Sequence, residues 1–277
     1  MASIAKVLTA TDLHQVKAKY ESLAAAVKAH QPDVLALVGD FLDMVGVEDR
    51  FTVEECAGFL TKLPCRDILF IRGNHEDANW WEFAEAWSKT GRSLNALHGE
   101  SLISGPLLMV GFPCAMGNDT AFLGTREPLP EDAVVWLSKL LRKHGPAMRT
   151  LWLIHETPTG TPLSQRNSPV AGNPDWNSAI ERFSPWLTIS GHDHQTPLNN
   201  KCWNHRIGQT ICVNVGQSES GPLHYCLVEA EFAGTKVSLP TKLKVTAYPW
   251  EQSLTLTERA SRLPSRFKRT KTAGSSN

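Results

Sequence analysis

The chain lacks net charge: 28 Lys and Arg stand against 28 Asp and Glu in 277 residues. That balance gives no general pull toward nucleic acid or an anionic membrane surface. Long apolar runs are missing too. No stretch approaches membrane-span length, and the opening "MASIAKVLTATDLH" reaches an acid too early for a secretory core. A cytoplasmic protein with no membrane partner is expected. The six cysteines (Cys56, Cys65, Cys114, Cys202, Cys212 and Cys226) hold no CxxC pair and are expected as reduced core thiols. Cys202, His205 and Cys212 have no fourth ligand at a spacing that would complete a zinc site. The phosphate-cradling GxxxxGK-Ser/Thr loop and GxGxxG are absent, and "GQSESG" at 216–221 lacks the GxSxG spacing of a nucleophile elbow. No repeat recurs at a fixed period.

What is present is a chain with 42% hydrophobic and 20% charged residues, an ordinary balance for a folded soluble protein. Short apolar runs alternate with helix-like stretches. "AKVLTAT", "DVLALVG", "DILFIRG", "LLMVGFP", "TLWLIH" and "WLTISG" read as strands. Between them lie helix-like segments: one with Val16, Tyr20, Leu23 and Val27 on one face, "VEECAGFLTKL", a Trp-rich segment around Trp80–Trp87, and 131–143. From about Thr210 strands follow alone: "TICVNV", "HYCLVEAEF" and "KVSLPTKLKV". Such an order predicts an α/β (α+β) core with antiparallel additions. We expect one domain over 1–250, a long functional loop over Glu156–Trp176, and a polar basic tail over 251–277 that stays flexible.

The chemistry lies at the strand ends. The first strand runs into Asp12-Leu13-His14, the second into Gly39-Asp40 with Asp43 beyond, and the third into Gly73-Asn74-His75-Glu76. "TLWLI" ends in His155, and "WLTIS" in Gly191-His192-Asp193-His194. In open α/β sheets the carboxyl edge of the strands is where sites are assembled. Imidazole, carboxylate and amide without thiolate suit Mn, Fe or Zn. Seven such groups (Asp12, His14, Asp40, Asn74, His155, His192 and His194) exceed the roughly four to six ligands of one ion. Two ions about 3.5–4 Å apart, sharing a carboxylate, would use them all. If "SGHDHQ" is extended, His192 and His194 point one way and Asp193 the other, to cap the turn or meet solvent. The glycines at 39, 73 and 191 fit close backbone approach.

In order, D-x-H, GD-x-x-D, GNH-E, a lone His and GH-x-H span Asp12 to His194, and "NVG" at 214–216 follows. The pattern resembles the calcineurin-like metallophosphoesterase superfamily. The resemblance implies a four-layer αββα sandwich and an enzyme that hydrolyses a phosphoric ester by metal-bound hydroxide. It implies two divalent or trivalent transition-metal ions (Mn, Fe or Zn). Asp12, His14 and His194 would hold one; Asn74, His155 and His192 would hold the other; Asp40 would bridge both. His75 would be an outer-sphere catalytic histidine oriented by Asp43, and Arg72 a candidate phosphate contact or a partner of Glu76.

Departures restrict the substrate. "GDFLDMVG" lacks the Arg-Gly that follows this motif in Ser/Thr protein phosphatases, although "IRGNHE" is similar to their third motif. "HETPTG" is closer to the H-x-P-P segment of small-molecule phosphodiesterases, with Thr157 in place of the first proline. A phosphodiesterase acting on a small-molecule or nucleotide substrate is therefore expected, with a phosphomonoesterase or a protein phosphatase-like enzyme as alternatives. A non-catalytic protein-binding scaffold is the alternative of another class. Neutral charge and the lack of room for a capping domain argue against a duplex nuclease. His30, His98, His144, His205 and His224 fall outside the pattern; His98 sits just before a strand. One of Trp80 and Trp81 is expected at the cleft rim.

Overall fold

A computed structural model describes residues 2–43, 50–76, 79–113, 139, 149–165, 172–219 and 221–257. Strands β1 (Ser3–Ala10), β2 (Val34–Val38), β3 (Asp67–Ile71) and β4 (Asn95–Ala96) run parallel, in that spatial order. On the other side of β1, strands β11 (Tyr225–Phe232), β12 (Lys242–Tyr248) and β13 (Gln252–Thr257) extend the sheet antiparallel. The second sheet is built from β5 (Glu100–Ser104), β6 (Leu107–Phe112), β7 (Thr150–Glu156), β8 (Leu187–Gly191), β9 (Asn204–Ile207) and β10 (Thr210–Val213). Its order is β5-β6-β7-β8-β10-β9, parallel in the middle and antiparallel at both edges.

The parallel strands β2, β3, β6, β7 and β8 are buried on both faces, which explains why they lack alternation. Val7, Val38 and Ile71 of the first sheet join one core with Met109, Leu153 and Ile189 of the second. The opposite face of the first sheet (Leu8, Leu37, Phe70) packs on helices α1 (Lys17–His30), α2 (Val53–Leu60) and α3 (Trp80–Ser88). The outer face of the second sheet (Val110, Trp152, Ile154) packs on Trp176 and Ile180 of α4 (Pro174–Phe183). Helix, sheet, sheet and helix thus give the expected αββα order. Each fully buried Leu, Ile or Phe in these layers is worth roughly 1.5–3 kcal/mol.

Local signals account for the helices. Thr52 and Glu55 form a reciprocal capping box at the start of α2. In α1 the buried stripe is Tyr20, Leu23, Ala26 and Val27, with Lys19 on the same face. A short helix α5 (Gln195–Asn200) follows the GHDH segment.

Several expectations shift. "KVSLPTKLKV" becomes a strand only from Lys242, and β13 carries the first sheet past residue 250, where the sequence reading ended the domain. The helix expected over 131–143 lies outside the described residues apart from residue 139, and most of the basic tail (258–277) lies outside them as well. Cys56, Cys65, Cys212 and Cys226 are buried free thiols, and Cys202 is half-buried. No helix among the described residues is long and apolar enough to cross a membrane.

Candidate metal centre

The carboxyl ends of β1, β2, β3, β7 and β8 converge between the two sheets. Strand ends are turns, and here the turns are tight. Asp12 (φ 57°), His14 (φ 49°), Asp40 (φ 51°) and His192 (φ 66°) all occupy the left-handed region, which non-glycine residues rarely adopt. Such conformations cost about 1–3 kcal/mol each and collect at functional sites. Two glycines make room. A Cβ on Gly39 (φ 85°) would lie 2.1 Å from His155 Nδ1, and one on Gly191 would lie 2.0 Å from Thr11 Oγ1 and 2.5 Å from Asp12 Oδ2.

Ligand-type atoms gather in two sets. Asp12, His14 and His194 present atoms within 4.8 Å of one another, as do Asp40, His155 and His192. Asn74 joins the second set, its Oδ1 lying 3.0 Å from His192 Nδ1. His194 Nε2 is 3.0 Å from Asp12 Oδ1. The amide of His192 donates to the Asp12 carboxylate at 3.2 Å, and His155 Nδ1 donates to the Val38 carbonyl at 2.9 Å, so each sheet fastens a candidate ligand of the other. That second bond leaves His155 Nε2 as the free nitrogen.

His155 Nε2 also tests whether a metal fits. It is fully buried and has no hydrogen-bond partner, although Asp40 Oδ2 lies only 3.2 Å away. The two atoms lie at ion-pair distance without a hydrogen bond that satisfies the ring nitrogen. Two ligands aimed at one ion adopt that relation, and the imidazole, carboxylate and amide donor set fits it. A third convergence, His14, Asp43 and His75, has another explanation. His75 Nδ1 lies 2.9 Å from Asp43 Oδ1, and Asp43 Oδ2 is ion-paired with Arg50. His75 Nε2 is left on the Asp40 side, 3.9 Å from Oδ2.

Burial lowers the pKa of His14 and of His192 to about 4, so both are neutral at pH 7 and ready to coordinate. Burial alone would lower His155 also, but the Asp40 carboxylate outweighs it and raises the group to about 10. Burial is likewise opposed at His194, where Asp12 raises the pKa. Burial would raise both Asp12 and Asp40, yet His194 and His155 respectively hold them below the usual carboxylate range. Coordination needs neutral imidazole, so metal uptake at pH 7 must displace the His155 proton. Calorimetric titration with Mn²⁺ in buffers of different ionisation enthalpy should give a release of about one proton or more per chain. Uptake without proton release would contradict this assignment.

Asp43 lies beside His75, while Glu76 carries more than its place in the sequence suggests. That carboxylate is fully buried and accepts from the amides of Asp40 (2.9 Å), Leu42 (2.8 Å) and Gly73 (2.6 Å). It ties the loop carrying Asp40 to the loop carrying Asn74. Burial, then Asp40, pushes its pKa up to about 8. A Glu76→Ala variant strands three buried amides at about 1–3 kcal/mol each, so a loss of more than about 3 kcal/mol in chemical denaturation is expected. Wild-type stability in Glu76→Ala would refute the tie.

Asn214 was also missed as an organiser. Its Nδ2 donates to Thr157 Oγ1, Gly191 O and Asp193 O, and its Oδ1 accepts from the Gly216 amide. Arg72 lies over Trp80, whose ring packs on His98 at 5.0 Å. Trp80 is therefore core; Trp81 is the exposed member of the pair. Burial and Arg72 lower the His98 pKa to about 3. Cys202, His205 and Cys212 form no candidate metal group among the described residues.

A two-sheet αββα sandwich with this cluster at its strand ends defines a metallophosphoesterase type of molecule. The calcineurin-like phosphoesterase profile matches residues 5–196, and the chain belongs to that family. Solved structures share the fold. A dimetal phosphatase from Danio rerio superposes with a TM-score of 0.58 at 11% identity, covering 91% of this chain and 98% of that one. The calcineurin-like phosphoesterase YfkN from Bacillus subtilis gives 0.56 at 13% identity over 96% and 94%. The protein TT1561 of Thermus thermophilus gives 0.60 at 13% identity over 92% and 99%. No curated protein matches the chain by sequence.

Proposed function

We propose that the chain is a cytoplasmic hydrolase that cleaves the P–O bond of a small-molecule or nucleotide phosphodiester at a pair of transition-metal ions. The observation that carries this reading is the division of seven ligand-type residues into two sets beside the His75–Asp43 pair. Asp12, His14 and His194 would hold one ion, Asn74, His155 and His192 the other, with Asp40 between. Mn, Fe or Zn ions held by these residues would lower the pKa of a water and would stabilise charge on the attacking and leaving oxygens. His75 does the proton work. Asp43 fixes its Nδ1, so Nε2 faces the centre and can hand a proton to the departing oxygen. Arg72, whose guanidinium lies over the Trp80 ring, is the candidate for adding positive charge near the phosphate.

The absence of Arg-Gly after Asp43 and the "HETPTG" loop favour a small diester over a phosphoprotein. A phosphomonoester substrate is the second reading, and "HETPTG", with Thr157 where the phosphodiesterases carry proline, is the observation that keeps it open. The filled ligand set and the intact His75–Asp43 pair argue against a scaffold without turnover. The test is Mn²⁺-dependent hydrolysis of cyclic nucleotides, dinucleotides, glycerophosphodiesters and monoesters by the full chain. Faster turnover of a diester supports the proposal; no metal-dependent turnover of any substrate sinks the enzyme reading.

A further inference from the structure

The two candidate sites are unequal in charge. Asp12 and the shared Asp40 serve one; the other has Asp40 alone, with neutral Asn74, His155 and His192. With nothing else nearby, the first would bind a dication far more tightly than the second, since one more carboxylate at contact distance dominates binding in a buried site.

Lys19 alters that balance. It lies in the first turn of α1 on the buried stripe, is 2% exposed, and donates from Nζ to the Asp12 carbonyl at 3.1 Å. Among the described residues that carbonyl is the one hydrogen-bond acceptor of an ammonium with three donors. A buried cation so thinly compensated is costly to keep. A Leu or Met there would continue the apolar stripe of Tyr20, Leu23 and Val27. The ammonium sits on the backbone of the residue that supplies the extra carboxylate, and among the described residues no hydrogen bond joins it to Asp40, His155 or His192.

We propose that Lys19 is the charge-balancing residue of the metal pair, offsetting the extra carboxylate of Asp12 so that both sites hold the same dication with similar affinity. The proposal rests on the two-metal reading above. It assigns Lys19 no contact with substrate and no proton transfer.

The test is calorimetric titration of metal-free full-length protein with Mn²⁺, comparing wild type, Lys19→Met, Lys19→Gln and Lys19→Arg. Wild type should take up two ions whose affinities lie within roughly tenfold of each other. In Lys19→Met and Lys19→Gln one ion should bind more tightly by on the order of tenfold or more, separating uptake into two steps. Lys19→Arg should restore the wild-type isotherm. Thermal melting of each metal-free variant selects those that fold, and the glutamine variant replaces the methionine one if that fails. Unchanged affinities, or weakened binding at both sites, in a folded uncharged variant would overturn the proposal. Fewer than two ions in wild type would instead overturn the two-metal reading, and the balance with it.

Discussion

Replacing Asp40 by Ala should remove Mn²⁺-dependent turnover almost completely and leave the purified protein with fewer than two ions per chain. The carboxylate occupies the junction of the cluster. Its Oδ2 lies 3.2 Å from His155 Nε2, and its Oδ1 accepts from the His75 amide at 2.9 Å. Losing a bridge removes several kcal/mol of transition-state stabilisation, a rate drop of about 10³-fold or more. Asp40→Asn separates charge from shape: the same loss there assigns the effect to the negative charge. Measured metal content beside single-turnover rates decides the matter, and an Asp40→Ala protein that keeps both would remove Asp40 from the bridging role.

His75→Ala should behave differently. Turnover of a substrate with a poor leaving group is expected to fall about 10²–10⁴-fold while metal content stays near two. A substrate with an acidic nitrophenol leaving group needs little proton assistance and should lose much less. Asp43→Ala, which frees His75 Nδ1, should show a weaker version of the same split, about 10–100-fold. Loss of metal in His75→Ala would make that histidine a ligand instead.

The core of the site was readable because strand ends are marked twice in such a sequence, by the end of an apolar run and by the residue that closes it. Asp12, Asp40, Asn74, His155 and His192 each sit at such a junction. The reading of "SGHDHQ" as extended, with both histidines pointing one way, does not hold. The segment is not extended: His192 has φ 66°, and His194 is already helical at the start of α5. The two histidines diverge because the chain turns between them. Asp193 stays fully buried and accepts from the Thr196 amide. Of the two placements considered for it, the cap holds and solvent does not.

What stayed hidden depends on partners distant in sequence. Glu76 reads as one more acid after GNH until the amides of Asp40 and Leu42 arrive from another loop. Lys19 reads as a surface lysine, and only its position three residues after Val16 on the apolar stripe hints at burial. Asn214 reads as part of a short motif, with nothing local to show that it reaches Thr157 and Gly191. Edge strands such as β4, β9 and β13 are short or half-exposed and carry too few apolar residues to stand out.

The division of labour between the sheets has one more consequence. Asp12, His14, Asp40 and Asn74 hang from the first sheet, and His155, His192 and His194 from the second. Each candidate ion therefore draws on both, and neither sheet alone offers a complete set. The centre behaves as a rivet through two plates. A ligand that binds only the aligned arrangement stabilises it by mass action, so a lesion deep between the plates, at Gly111 where Ile71 and Leu97 press from the opposite layer, would first be felt as slackened grip on metal rather than as unfolding.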